Sequence, residues 1–155
     1  MRVGWRLAAA EFARTAEDML SGEGARLYGG RWNSPGRPTV YLGDSLALAC
    51  MELLVHLGDA DVLKTYRKMP VYIPEDTMMH IDPSELPQDW QTGPRTLTRA
   101  IGDQWLALEH SVVLQVPSAV VSGESNFIVN PIHSRFGAIT AGPISDCRFD
   151  ARLAR

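Results

Sequence analysis

Cysteine is scarce: Cys50 and Cys147 are the two thiols in 155 residues. A disulfide framework is therefore not needed and a reducing compartment fits. Long apolar runs are missing as well, none approaching the ~20 residues that a membrane span requires. The N-terminal MRVGWRLAAAEFART has no apolar core followed by a cleavage site, so a cytoplasmic protein with no membrane partner is expected. Positive charge is not in excess: 15 Lys and Arg stand against 18 Asp and Glu, a net charge of -3. That balance argues against a nucleic-acid partner held through a basic surface and makes any local arginine cluster, such as Arg26, Arg31 and Arg37, more informative. The four histidines, His56, His80, His110 and His133, show neither HExxH spacing nor a CxxC companion, and no metal site is expected. GxGxxG is absent too, so no dinucleotide cofactor bound in the Rossmann manner is expected.

What is present is an ordinary globular balance, 45% hydrophobic and 21% charged residues, enough for one domain with a real core. The chain is organised around Tyr28 to Gly58, YGGRWNSPGRPTVYLGDSLALACMELLVHLG. This stretch offers a cation in a Gly-rich turn (Arg31), an aromatic on a short strand (Tyr41) and a carboxylate in a helix (Glu52). Asp44 or Ser45 can cap that helix and Gly58 can end it in the left-handed conformation. Between them LALACMELLVHL is apolar nearly all round, the pattern of a buried helix. At helical spacing Ser45, Ala49, Glu52 and His56 form one stripe, which must face a cleft or a buried polar partner. A carboxylate there needs a donor or a water-filled pocket, and Arg31 is the obvious candidate. A purely structural Arg-Glu or Glu-His pair would look the same from Glu52 alone.

Around this centre, VGWRLA (3–8) reads as a strand with Val3, Trp5 and Leu7 on one face and Arg6 on the other. Glu11 to Leu20 reads as short helical or irregular structure, SGEGA as a loop, and TVYL as a strand leading into the central helix. MPVYIP and TMMHID are two short strands, a hairpin or successive members of a sheet. A helix is expected over Thr96 to Ala107, with Trp90 and Trp105 in the core. HSVVLQVP and the segment closing at Pro131 read as strands, and CRFDARLAR as a last edge strand. Ser125, Asn126 and Asn130 lie at strand ends, where ligand contacts or simple turn hydrogen bonds are both found. The pattern is α+β: a single domain, 1–155, of short, mostly antiparallel strands with a buried central helix.

Three blocks in order, RLYGGRWNSPGRPTVYLGDSLALACMELLVH, IGDQWLALEHSVVLQVPSAVVSGESNFIVNPIH and RFDARL, resemble the RES-domain proteins, the toxin half of RES-Xre toxin-antitoxin pairs. The resemblance spans nearly the whole chain. It implies an ADP-ribosyltransferase-like fold and an Arg-Tyr-Glu set, here Arg31, Tyr41 and Glu52, with Ser125 as the site serine and Ser122 and Ser134 as rivals. It also implies breakage of the nicotinamide-ribose bond of NAD, by phosphorolysis or hydrolysis, with NAD as substrate and inorganic phosphate as a possible co-substrate. A carboxylate such as Glu52 would stabilise the positive charge that develops on the ribose ring. Arg31 would hold the diphosphate or a ribose, and Tyr41 would face the nicotinamide, with Tyr28 as a second wall. Gly29 and Gly30 would let the backbone approach the ligand, Ser125 and Asn126 would contact ribose or phosphate oxygens, and His56 would orient Glu52 or simply pack. The resemblance further implies a cognate Xre-type antitoxin carrying a helix-turn-helix DNA-binding region. The alternatives are transfer of ADP-ribose to a protein, a non-enzymatic antitoxin-binding module, and a nucleic-acid-cleaving toxin. Cys50, where transferases often place Glu or Gln two residues before the catalytic Glu, weighs mildly toward phosphate or water as acceptor. The acidic balance weighs against nucleic-acid cleavage.

Overall fold

Eight short strands form one sheet, and two helices laid on the same face of it frame a cavity. The structure is a computed structural model that describes residues 1–154. Strands β1 (Arg2–Ala9), β2 (Val40–Gly43), β3 (Tyr66–Ile73), β4 (Met78–His80), β5 (Val113–Pro117), β6 (Ser125–Val129), β7 (Thr140–Ala141) and β8 (Ser145–Asp146) run in the order β4-β5-β6-β2-β1-β3-β7, with β8 also on β3. Every pairing is antiparallel except β4 with β5. Helices α1 (Ala16–Met19) and α2 (Glu23–Tyr28) lie between β1 and β2, α3 (Leu46–Leu57) follows β2, and α4 (Thr96–Leu108) precedes β5. This is the mixed, mostly antiparallel single sheet that the sequence implied.

Alternation along the strands divides the core. On one face Met19, Val40, Leu42, Met69, Val71 and Phe127 pack together. On the other, Trp32, Trp90 and Trp105 gather with Leu114 and Ile128 under α4, while Leu7 packs with Ala49 and Cys50 under α3. Trp90 and Trp105 are thus core residues, Trp90 tilted against Trp32 at 5.7 Å between ring centroids. Burying such side chains stabilises the fold by about 1.5–3 kcal/mol each.

The pairing of β1 with β2 is confined to Trp5 opposite Gly43, whereas β1 and β3 pair over eight positions. The sheet parts beyond that one contact. Helix α3 crosses close by, since a Cβ on Gly43 would lie 2.7 Å from the Ala49 nitrogen.

Several local expectations change. α3 has the anticipated caps, Ser45 accepting the Leu48 N–H at 3.0 Å and Gly58 at φ 70°, but it is not a buried rod. It buries Leu48, Ala49 and Cys50 and leaves Met51 and Val55 45% and 66% exposed, because it rests on the sheet by a single face. SGEGA is not all loop: Gly22, at φ 69°, precedes α2, and Gly24 lies inside it. β3 and β4 do not form a hairpin. β3 is flanked by β1 on one side and by β7 and β8 on the other, so β4 pairs instead with β5 at the far end of the sheet. CRFDARLAR supplies no edge strand, because β7 and β8 already occupy that edge; Ala151–Ala154 is a 3-10 turn, and Arg155 lies outside the described residues. Among the described residues no helix is long and apolar enough to cross a membrane.

Candidate active site

The segment between α2 and β2 carries Arg31 and is held from three sides. Gly29 ends α2 at φ 73° and ψ 177°, a conformation natural to glycine. Gly30 lies against the Tyr41 hydroxyl, where an added Cβ would sit 2.5 Å from the oxygen. That hydroxyl donates to Asn33 Oδ1 at 2.6 Å and accepts the Trp32 N–H at 3.1 Å. α4 grips the segment along one face. Thr98 Oγ1 donates to the Arg31 carbonyl at 2.5 Å, Arg99 Nε donates to the Gly30 carbonyl at 2.8 Å, and Asp103 Oδ1 accepts the Ser34 N–H at 2.8 Å. Gly102 makes room for the Trp32 carbonyl, which a Cβ would meet at 1.6 Å. With its backbone so fixed, Arg31 lines the cavity, and its Nη1 is buried without a hydrogen-bond partner.

Glu52 reaches the same cavity from α3. Its Oε1 accepts two short bonds, from Ser118 Oγ and Asn126 Nδ2, both at 2.6 Å. Ser118 Oγ in turn accepts the N–H groups of Val120 and Val121 at 3.1 and 3.0 Å, which leaves its proton to point at the carboxylate. Ser118 follows β5 and Asn126 stands opposite Gly43 and Val116 in the sheet. Charge-assisted bonds of this length hold one carboxylate oxygen firmly. The other has no donor among the described residues and is left for the cavity.

The cavity holds about 340 Å³ and is lined by Tyr41, Arg31, Glu52, His56, Arg95 and Asn126 among others. Arg6, on β1 and bonded through Nε to the Met19 carbonyl at 2.8 Å, also contributes where the sheet parts. Burial pulls the Arg6 guanidinium down to about 10. Burial, then the nearby Arg95 charge, lowers Arg31 from the ordinary arginine value, while Glu52 and Tyr41 oppose the shift. Burial drives the Tyr41 hydroxyl upward, against the Trp32 N–H and the neighbouring arginines. That hydroxyl is therefore neutral and already engaged in the loop, and the ring is what Tyr41 offers to a ligand.

The structure brings together Arg31, Tyr41, Glu52, His56, Asn126, Gly29 and Gly30 around one cavity. Ala49, Glu52 and His56 of the α3 stripe face a cleft, one of the two settings its spacing left open, but Arg31 does not pair with Glu52 and neither does His56; Ser118 and Asn126 are the donors. Tyr28 is not a wall: it ends α2, 80% exposed, and does not line the cavity. Ser125 is displaced as well. It begins β6 and its hydroxyl accepts from Gln115 Nε2 at 3.2 Å, outside the cavity, while Ser118 is the serine on the carboxylate. Asn130 makes a turn bond to the Ile132 N–H, and Arg26 pairs with Glu23 rather than joining Arg31. The arginine neighbours of Arg31 come instead from α4. Residues missed from sequence are thus Ser118 and Arg95, with Thr98, Arg99, Gly102 and Asp103 as supports. The spacing of that last set, two adjacent pairs one helical turn apart, was a readable sign of a helix face gripping something polar.

A pinned carboxylate, an unpartnered guanidinium and an aromatic wall, set in the opening of a mostly antiparallel α+β sheet, describe an ADP-ribosyltransferase-like domain. The sequence profile of the RES domain matches residues 4–150, and the chain belongs to that family. It is similar to "Toxin Res" of Photorhabdus laumondii, 42% identical over 92% of this chain and 93% of the relative. It is also similar to the "Prs ADP-ribosylating toxin" of a Sphingobium species, 35% identical over 97% and 96%. Mycobacterium tuberculosis MbcT, named an NAD(+) phosphorylase, is 48% identical over a 50-residue stretch, 32% of this chain and 26% of that protein. The crystal structure of the MbcT-MbcA toxin-antitoxin complex superposes with a TM-score of 0.78 at 26% identity, covering 94% of this chain and 84% of that one.

Proposed function

We propose that this chain is the toxin of a toxin-antitoxin pair and degrades cytoplasmic NAD by breaking its nicotinamide-ribose bond, with phosphate or water as acceptor. The observation that carries this reading is Glu52, one oxygen fixed by Ser118 and Asn126 and the other open to a cavity that also holds the unpartnered Arg31 Nη1. As the bond to nicotinamide lengthens, positive charge grows on the ribose, and a carboxylate already oriented stabilises it without reorganising. Nicotinamide leaves as a neutral molecule, so no general acid is required, in keeping with a Tyr41 hydroxyl committed to Asn33 and Trp32. The Tyr41 ring takes the nicotinamide or ribose face, and Arg31 takes a phosphate. NAD is thus a substrate, and the chemistry needs neither a cofactor nor a metal. The names of MbcT and of the Sphingobium toxin support an enzyme acting on NAD. A cognate antitoxin, an Xre-type protein with a helix-turn-helix region, is the proposed partner; the exposed apolar Met51 and Val55 beside the cavity offer it a surface.

Purified chain freed of antitoxin is expected to release nicotinamide from NAD, and Glu52→Gln to slow that release by ~10²- to 10³-fold while still melting cooperatively. A folded wild type that releases none would sink the proposal. Transfer of ADP-ribose to a protein is the second reading, favoured by the name of the Sphingobium relative. Label from adenine-labelled NAD would then appear on protein rather than in a free sugar product.

A further inference from the structure

Arg95 immediately precedes α4 and lines the main cavity together with Arg31, while its other side lines a second, more open cavity bounded by Ser34, Thr96, Arg99 and Asp103. Among the described residues neither Arg31 nor Arg95 has a salt-bridge partner. Two guanidinium groups on one cavity, neither of them in an ion pair, repel, and Arg31 Nη1 has in addition lost water without gaining an acceptor. An anion between them would relieve both costs. Neither nearby carboxylate bonds to a guanidinium: Asp103 Oδ1 accepts the Ser34 N–H, and Glu52 Oε1 is held by Ser118 and Asn126 while its other oxygen is left for the ribose.

We propose that Arg31 and Arg95 together form the subsite for inorganic phosphate, the acceptor in cleavage of NAD, with Arg95 as the residue that selects phosphate over water. This rests on the reading of the chain as an NAD-cleaving enzyme. The pair shares its cavity wall with Tyr41 and Glu52, hence with the reacting ribose carbon. Arg6 reaches the same cavity from β1 with its Nε held by the Met19 carbonyl, and its remaining nitrogens are left for the diphosphate of NAD. In the step itself an oxygen of hydrogen phosphate forms a bond to the ribose carbon as the carbon–nitrogen bond breaks. The electron pair of that bond returns to the pyridinium nitrogen, nicotinamide leaves neutral, and the remaining proton of the phosphate ester passes to solvent.

The test measures nicotinamide release and the ratio of ADP-ribose phosphate to free ADP-ribose, over a phosphate titration, for wild type, Arg95→Ala, Arg95→Lys and Glu52→Gln. Losing one charge-assisted contact should raise the KM for phosphate about ten- to a hundredfold in Arg95→Ala and lower the product ratio to match. The KM for NAD should move far less, and Arg95→Lys should recover part of the ratio. A rise in the KM for NAD at constant product ratio would place the NAD diphosphate on this pair and overturn the assignment, as would Arg95→Ala kinetics equal to wild type. Wild-type cleavage that Glu52→Gln abolishes, but that never yields a phosphate product, overturns the subsite while keeping the enzyme. No wild-type cleavage at all overturns the parent reading as well.

Discussion

Ser118 occupies an unusual position among the residues of the site, since one hydroxyl serves both a turn and a carboxylate. It accepts two backbone N–H groups and donates its proton to Glu52. Removing it leaves those N–H groups short of an acceptor and frees Glu52 to rotate about the bond to Asn126. Ser118→Ala should therefore cost about 1–2 kcal/mol of stability. It should also lower kcat roughly tenfold with little change in the KM for NAD, because Ser118 positions Glu52 rather than touching substrate. Ser118→Thr keeps the hydroxyl and should recover most of kcat. Equal kcat in wild type and Ser118→Ala would show that Asn126 alone orients the carboxylate. Little at this scale was legible beforehand. Arg31, Tyr41 and Glu52 lie within one stretch of chain, but Ser118 and Asn126 reach Glu52 across 66 and 74 residues, and a serine in such a turn has no local mark.

Helix α4 acts on the site as a unit although only Arg95, at its start, lines the cavity. Thr98, Arg99, Gly102 and Asp103 clamp the segment that carries Arg31, and Gly102 allows the approach. A methyl group at Gly102 would meet the Trp32 carbonyl at 1.6 Å, so the helix or the loop must move. Gly102→Ala is expected to destabilise by roughly 1–3 kcal/mol and to weaken activity together with stability. Gly24, inside α2 with open space around it, makes the control. There the same substitution should stabilise by about 0.5–1 kcal/mol, since alanine is the better helix former. Thermal denaturation of the two variants decides the matter; a neutral Gly102→Ala would mean that the clamp is loose. The boundaries of α3 were readable from its caps, and α4 was placed within a residue of its observed span. The exposure of Met51 and Val55 was not, because apolar composition does not say which face of a helix finds a neighbour.

On the scale of the whole molecule, α3 and the end of the sheet meet in a small apolar cluster that contains both thiols, Cys50 and Cys147, each free and buried. Burial pushes both upward, Cys147 to about 11. A raised value means that the folded state favours the neutral thiol. The stability this contributes is fully present below the ordinary value near 9 and is lost as pH rises through about 11. Chemical denaturation at pH 7, 9 and 11 should show a loss above pH 9 that is smaller in Cys147→Ala than in wild type. An identical alkaline loss in the two would mean that the cluster opens before the thiol ionises. Burial also means that neither thiol is presented to solvent as a reactive thiolate at neutral pH.

Composition, caps and alternation pointed by themselves to an α+β domain, a helix between Ser45 and Gly58, another near 96–107 and the polar stripe of α3, and the resemblance of three sequence blocks pointed to the family. These are properties of short stretches, where hydrogen-bond geometry and side-chain periodicity act over a few residues. Tertiary structure alone decided the rest. It sent β4 to the far edge of the sheet, replaced Ser125 by Ser118, turned Tyr28 away from the cavity and brought Arg95 to Arg31. Each of these depends on which strand edges and helix faces remain unoccupied once the others have paired, and that competition is settled between segments tens of residues apart.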